Sequence, residues 1–433
     1  MSRFVIAILG AALLWSGLGG AEPLTIQITK GVAKPLPIAV APFAGGSAPV
    51  DIAAVIRGDL AGSGRFQIMA TKDMPAIPAD PAQIQFKDWK TLGQDSLVVG
   101  NIKASGDGFF QIDFRLLDVI KEGQIVGFSV RSNERNLRMN AHRIADLIFQ
   151  KLTGIKGAFA TRIAYVTVQK AGKDRTYRLD LADSDGYNPR TLIESAQPIM
   201  SPAWSPDGRR LAYVSFEEGS AAIYVQEILS GQRRKVATGA AGSTNSAPAW
   251  APDGRGLAIA RSVDGNPDIY LLDLTSGQTH RLTEDPGIDT EPTFAPDGKS
   301  IFFTSDRGGG PQIYRISTEG GKAARLTVNQ GNYNAKASVS PDGKLVALVH
   351  GGNGGYRIAV LDLAAGKFTE LTDSRLDESP SFAPNGVMIL YATMGQRGTE
   401  LSEIAADGRV QNRIEAVQGE VREPAWGPII DSD

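Results

Sequence analysis

The 433-residue chain has no cysteine. That absence removes disulfides, thiolate zinc sites, iron–sulfur clusters and cysteine nucleophiles together. Histidine is nearly as scarce: His142, His280 and His350 are the whole set. They stand in separate segments without an HExxH setting or an i, i+4 partner, so no metal site is expected on them, and each reads as a solvated or core-edge histidine. An excess of one charge is also missing. Lys and Arg number 45 against 47 Asp and Glu, a formal net charge of −2, whereas a general nucleic-acid binder carries a basic excess. No GxSxG nucleophile elbow occurs, and the nearest string, Gly62-Ser63-Gly64, has the wrong spacing. The phosphate-cradling GxxxxGK[ST] pattern fails because Thr293 stands where its first glycine belongs, ahead of Gly298-Lys299-Ser300. The stretch Asp183 to Asn188 with Glu194 has the composition of a calcium loop. Its Gly186 falls at the fourth position and Tyr187 at the fifth, so it reads as an Asp-rich turn. No cofactor is expected.

After the N-terminus no stretch reaches 18 uninterrupted apolar residues, the length at which a membrane span would be read. Residues 1–21 carry Arg3, an apolar run from Phe4 to Trp15, and Gly19 and Ala21 at the −3 and −1 positions of a cleavage site before Glu22. This is the pattern of a cleaved secretory signal peptide. The run is shorter than the ~20 residues that span a bilayer, and no cysteine follows it to carry a lipid. A soluble, exported, cysteine-free chain fits a bacterial envelope compartment.

What is present is apolar residue and glycine: 42% hydrophobic, 21% charged and 49 Gly. Such a chain builds real cores, and its glycine excess points to many tight turns between short strands. Residues 22–155 show no repeat. Leu24–Ile28 is strand-like. Ile52, Val55, Ile56 and Leu60 have helical spacing, ending at Gly62-Ser63-Gly64. Residues 71–82 hold Pro75, Pro78 and Pro81 and read as loop. Strands are expected at 96–100, at 109–118, where Phe110, Ile112, Phe114 and Leu116 alternate, and at 124–130. A second amphipathic helix is expected over 138–152. The result is a small α/β domain with helices packed on a mixed sheet, followed by a linker at 156–161.

From residue 162 the chain repeats. The string Ser201-Pro-Ala-Trp-Ser-Pro-Asp-Gly208 returns at 247–254, 291–298, 336–343 and 379–386. The turn residues Asp207, Asp253, Asp297, Asp342 and Asn385 are spaced by 46, 44, 45 and 43. Four short strands per repeat of that length is a propeller blade. Material for the second to fourth strands appears first near 162–181 with no first strand before it, and Glu423-Pro-Ala-Trp426 is a first strand with nothing after it. The two ends therefore make one blade, giving six. Pairing the C-terminal strand with the first blade closes the ring and removes its exposed edges. Trp204, Trp250, Phe294, Val339, Phe382 and Trp426 share one position in the repeat and are expected to fill the gaps between blades.

The repeats differ in length between the fourth strand of one blade and the first of the next, while the Pro-Asp-Gly turns stay uniform. A scaffold keeps its turns; a partner-specific surface varies its loops. The binding face is therefore expected at loops 240–247, 285–291, 329–336 and 374–379, flanked by the second-to-third-strand loops. Thr244, Asn245, Ser246, Thr290 and Glu291 are the residues expected to touch a partner, with Lys336 and Glu378 beside them.

A signal peptide, a small α/β domain and a six-bladed propeller occur in that order. With the strings 201–208, Thr304–Tyr314, Leu376–Gly386 and Leu147–Gly154, nearly the whole mature chain resembles the TolB family, the periplasmic component of the Tol–Pal envelope system. It departs from the pattern at Ala337, where the Pro before the fourth repeat's first strand is absent, and at Gly427-Pro428, which lacks Asp-Gly. The resemblance implies a monomeric, non-enzymatic periplasmic adaptor that supports envelope integrity and cell division. Its loop face would bind Pal, the outer-membrane lipoprotein, and other outer-membrane partners are conceivable. Its N-terminal segment (Glu22, Leu24, Thr25, Ile26, Gln27, Ile28) and N-terminal domain would engage the inner-membrane protein TolA, with Pal binding shifting that segment between tucked and free. The rival reading is a periplasmic propeller hydrolase acting on glycan or peptide through convergent carboxylates or a Ser/His pair.

Overall fold

The computed structural model describes residues 34–45, 48–238, 244–263, 265–352, 354–395, 398–414 and 420–430. The expected signal peptide and the Leu24–Ile28 strand lie outside the described residues. Pro35–Asp433 forms one compact unit, and every contact below lies within it.

The N-terminal part contains β1 (Leu36–Val40), α1 (Ile52–Gly62), β2 (Phe66–Ile68), α2 (Phe86–Thr91), β3 (Ser96–Ala104), β4 (Phe109–Asp118), β5 (Gly123–Asn133) and α3 (Leu137–Thr153). Its sheet runs β2-β1-β3-β4-β5. β1 is parallel to both neighbours, and β3, β4 and β5 are antiparallel. Strand alternation sends Ile112, Phe114 and Leu116 to one face. There they form a core with Ile52, Ile56 and Leu60 of α1 and Ile144 and Ile148 of α3. Leu97, Val99 and Leu117 point the other way and are covered by Trp89 of α2. Asp51 caps α1 by accepting the Ala54 N–H at 2.9 Å, and α3 stops at Gly154 in the left-handed conformation, φ 76°. The sequence does not announce α2, which has six residues, nor the three-residue β2. Within 71–82 the chain makes two short 3-10 turns, Thr71–Asp73 and Pro81–Gln83.

The rest is a six-bladed propeller. Blade 1 joins Glu420–Trp426 to Arg162–Ala171, Asp174–Asp183 and Arg190–Ser195. Blade 2 is Ile199–Trp204, Arg210–Ser215, Ala222–Glu227 and Arg233–Thr238. Blade 3 is Thr244–Trp250, Gly256–Val263, Asn266–Asp273 and Thr279–Arg281. Blade 4 is Asp289–Phe294, Ser300–Ser305, Gln312–Ser317 and Ala324–Arg325. Blade 5 is Tyr333–Val339, Leu345–Gly352, Gly355–Asp362 and Phe368–Glu370. Blade 6 is Asp377–Phe382, Met388–Gly395, Gly398–Ala405 and Gln411–Ile414. The C-terminal strand pairs antiparallel with Arg162–Ala171, Val421 opposite Thr167, so the ring closes as the sequence leads one to expect. First strands of successive blades pack on each other around the centre.

The Pro-Asp-Gly turns work through their own backbone. Asp207, Asp253, Asp297, Asp342 and Asn385 each accept the N–H two residues on, at 2.9–3.1 Å. The shared aromatic position stitches blades together. Trp250 Nε1 donates to Ala203 O of blade 2 at 3.0 Å, and Trp204 Nε1 donates to Ala425 O of blade 1 at 3.0 Å. Among the described residues no helix is long and apolar enough to cross a membrane.

Candidate functional site: the loop face of the ring

Each first strand runs from the loop face, where the fourth-to-first and second-to-third connections lie, to the face of the Pro-Asp-Gly turns. The repeated Leu-Thr at the end of the fourth strand sets the base of the loops. Thr283, Thr327 and Thr372 are buried. Their Oγ1 atoms accept the N–H of Ile269, Ile313 and Ile358 at 3.0, 3.0 and 2.9 Å, carrying the ladder one step beyond the last strand pair. Ion pairs tie neighbouring loops: Arg307 holds buried Asp289 at 2.5 Å and Asp285 at 3.6 Å, and Arg281 holds buried Asp268 at 2.6 Å.

Every first strand carries a bulge two to three residues before its shared aromatic position. The bulged residue is left-handed in all six blades: Ser201, Ala247, Glu291, Lys336, Ser379 and Glu423, with φ from 47° to 57°. Such backbone is costly for a residue with a Cβ, and bulges re-aim side chains. Here they turn two carboxylates onto the next blade. Glu423 accepts the N–H of Ser201 at 2.7 Å, and Glu291 accepts the N–H of Lys336 at 3.0 Å and the hydroxyl of Thr304 at 2.8 Å. Lys336 Nζ lies 3.6 Å from Glu423 Oε2. Burial opposes its charge, but Glu423, Glu291 and Glu378 hold its pKa above the ordinary lysine value. Burial pushes the Glu378 carboxyl up, partly offset by Lys336.

Of the residues singled out from sequence, Glu291, Lys336 and Glu378 therefore converge on one charge cluster. Thr244 opens the first strand of blade 3. Asn245 is only 1% exposed, so its side chain is held inside and offers little to a partner as it stands. Ser246 and Thr290 are half-buried at the loop rim. Glu22, Leu24, Thr25, Ile26, Gln27 and Ile28 lie outside the described residues.

A feature the repeat count did not reveal is where apolar surface is left open. Among the described residues of the propeller, nine large apolar side chains are exposed. Six of them lie on the loop face: Met200, Val263, Ile288, Val328, Tyr356 and Met394. Tyr333 and Tyr356 meet edge-on at 5.0 Å beside Met394, around a shallow depression that also takes in Arg375. The opposite face is occupied. The N-terminal domain sits on the turns of blades 6 and 1, through Asn385 Nδ2 to Lys156 O (3.1 Å), Asn412 Nδ2 to Gly62 O (2.8 Å) and Arg65 to Asp407 (3.6 Å).

That docking contains the chain's most perturbed ionisable groups, which sequence reading missed. His142 of α3 is fully buried, not solvated or at a core edge. Its Nδ1 is 2.7 Å from Asp59 of α1, and its Nε2 is 3.3 Å from Asp185 in the third-to-fourth-strand turn of blade 1. Arg138 pairs with the same Asp185 carboxylate. Burial alone would lower the imidazole pKa; the Asp59 charge, the close Asp185 carboxylate and the hydrogen bond to Asp59 hold it up at about 10. Burial would raise Asp185, but His142 and Arg138 bring it down to about 2. Asp59, His142 and Asp185 could each offer a donor atom to a metal, all within 4.8 Å of one another. Arg138 and His142 already supply positive charge to Asp185 there, so that carboxylate has its counter-charges from the chain itself. Only Asp183-Ser184-Asp185 left any trace in the sequence, as an Asp-rich turn.

Residues 149–430 match the family described as the TolB beta propeller domain, and residues 24–125 match the TolB amino-terminal domain. "Tol-Pal system protein TolB" of Thioalkalivibrio sulfidiphilus (strain HL-EbGR7) is 52% identical over 419 residues, covering 96% of each chain. The protein of the same name from Xanthomonas campestris pv. campestris (strain B100) is 48% identical over 433 residues, covering 98% of each. The crystal structure of TolB from Acinetobacter baumannii, 42% identical, superposes with a TM-score of 0.85 and covers 92% of this chain and 98% of that one. With a six-bladed ring closed by its C-terminal strand and an α/β domain on its turn face, the chain belongs to the TolB family.

Proposed function

We propose that this chain acts in the bacterial periplasm as the propeller adaptor of the Tol–Pal system, without catalysis of its own. The loop face takes Pal, the outer-membrane lipoprotein. The segment from Glu22 to Val32, with the N-terminal domain, engages TolA of the inner membrane, Leu24–Ile28 adding as a strand to a sheet edge. The link supports outer-membrane integrity and constriction at division. The relatives' shared name supports membership of that system. The observation that carries the loop-face assignment is the set of six exposed large apolar side chains on the face that the N-terminal domain leaves free. Tyr356 and Met394 of this set share one depression with Tyr333 and Arg375, and exposed apolar surface beside charge is what a protein interface offers.

The test is capture from solubilised envelope. Thr290→Lys is expected to abolish capture of Pal with thermal unfolding unchanged; intact capture contradicts the face assignment. Deleting Glu22–Val32 is expected to remove TolA capture and spare the fold, and unchanged TolA affinity contradicts that half.

One observation favours the hydrolase reading: Glu291, Glu378 and Glu423 gather around Lys336. Against it, Glu291 and Glu423 are engaged as acceptors for backbone N–H groups of the next blade. Turnover of a glycan or peptide that Glu378→Gln abolishes would establish the enzyme; no turnover leaves the cluster structural.

A further inference from the structure

The N-terminal domain meets the propeller through two unlike contacts. At blade 6 the contact is centred on an apolar core, rimmed by Asn412–Gly62, Asn385–Lys156 and the more exposed Arg65–Asp407 pair. Ala383, Val387, Met388 and Ala405 belong to the same continuous core as Ile56, Leu60 and Phe149 of α1 and α3. At blade 1 the contact is ionic, made by Asp59, His142, Arg138 and Asp185. A cleft of about 1380 Å³ runs along the junction, its walls including Asp59, Arg138, Asp185, Tyr187, Met388 and Glu403.

The two contacts constrain the domains differently. Apolar burial has no fixed charge geometry, so it adjusts to a small rotation more readily than a buried ion pair does. Buried charges are satisfied at one geometry, and breaking one leaves its partner uncompensated. His142 has Asp59 on one ring nitrogen and Asp185 on the other, so a single imidazole bridges a helix of one domain to a turn of the other. Arg138 lies over the Tyr187 ring at 3.5 Å while pairing with Asp185, which fixes the turn from a second side. Asp185 faces one imidazolium and one guanidinium, which hold it ionised, while burial pushes the Asp59 carboxyl above its ordinary value against the pull of His142.

We infer that the Asp59–His142–Asp185 bridge, with Arg138 on Asp185, is an electrostatic latch that sets the angle of the N-terminal domain on the propeller, with the apolar contact at blade 6 as its pivot. Asp185 is the one member contributed by the propeller. Removing its charge leaves the Asp59–His142 pair inside the N-terminal domain and leaves the blade 6 contact untouched. The released domain then turns about that contact, and the cleft changes width.

The cysteine-free chain allows a direct test, because introduced cysteines are unique. Spin labels at K121C in the β4–β5 turn and L229C on the turn face of blade 2 report the angle; both positions are well exposed, at 84% for the Lys121 side chain and 90% for Leu229. In the otherwise native full chain, double electron–electron resonance is expected to give one narrow distance distribution. Asp185→Asn is expected to broaden or shift it and Asp185→Glu to keep it narrow, with both variants folded by circular dichroism at the temperature of the measurement. If Asp185→Asn fails to fold, Arg138→Gln is read the same way. A distribution in the charge-removing variant that superimposes on the parent's overturns the latch.

Discussion

Lys336 of blade 5 reaches Glu423 of blade 1, Nζ to Oε2 3.6 Å, past the whole of blade 6. Blades 5 and 1 are not neighbours, so this pair crosses the centre of the ring. It also brings the fourth repeat of the sequence onto the strand that closes the circle. With Glu291 and Glu378 nearby, Lys336 is the counter-charge for three carboxylates.

Replacing that ammonium should be felt by the ring as a whole. Lys336→Met leaves three carboxylates facing one another across the channel, with the partly buried Glu423 left without its lysine. A loss of about 1–3 kcal/mol is expected, at the low end because the pair is only partly buried, since breaking it strands the remaining charge. Lys336→Arg should recover most of it. Urea denaturation of the two variants checks this; equal stability of Lys336→Met and the parent would mean the cluster is solvated.

The tryptophan stitches make a second expectation. Trp250 is 7% exposed and donates to the backbone of blade 2. Trp250→Phe keeps the ring but strands the Ala203 carbonyl, for an expected loss of about 1 kcal/mol. Trp250→Ala also opens a cavity, for a loss of about 3–5 kcal/mol. Equilibrium unfolding distinguishes the two. No loss in Trp250→Phe would show that packing, with no share from the hydrogen bond, joins the blades.

Stability should depend on pH through the interdomain groups, with opposing signs. His142 goes from an ordinary 6.5 to about 10 in the fold. Its contribution is therefore complete below 6.5 and fades as pH rises toward 10. Asp185 goes from 3.8 to about 2, so its contribution is complete above 3.8 and fades as pH falls toward 2. Burial lifts Asp146 to about 6 and Glu403 to about 7, and these favour the neutral acid. They withdraw stability as pH rises from about 4 through those values. Burial also lifts Asp59 and Asp183 above the ordinary carboxylate value, so they too withdraw stability as pH rises; Arg138 and Arg162 are the other charged groups facing this cluster. The melting temperature is thus expected to fall from pH 6.5 toward 10, and His142→Gln to flatten that limb. An unchanged alkaline limb in the variant would show that His142 is neutral in the fold.

The propeller was legible because its turns obey local rules. Gly208, Gly254, Gly298, Gly343 and Gly386 all take positive φ, which few other residues accept, so they recur on a strict spacing. The split first blade was legible for the same reason: Glu423-Pro-Ala-Trp426 has the repeat's wording with no turn after it. By contrast, α2 and β2 are too short to show a period. The bridge of Asp59, His142 and Asp185 joins residues far apart in the chain and in different domains, where no spacing rule operates. The left-handed bulges were half legible. A proline follows five of the six bulged residues, but nothing local says that Glu291 would cap Lys336 of the next blade. Asn245 shows the converse limit, since a polar residue in a loop-like context proved to be tucked inside.

The loop-face assignment is tested most directly by hydrogen–deuterium exchange of the full mature chain with and without purified Pal. Protection is expected in segments 284–291, 328–336 and 373–379 and around Met200 and Tyr356, with the Pro-Asp-Gly turns unchanged. Protection confined to the turn face, or none at saturating Pal, would contradict it.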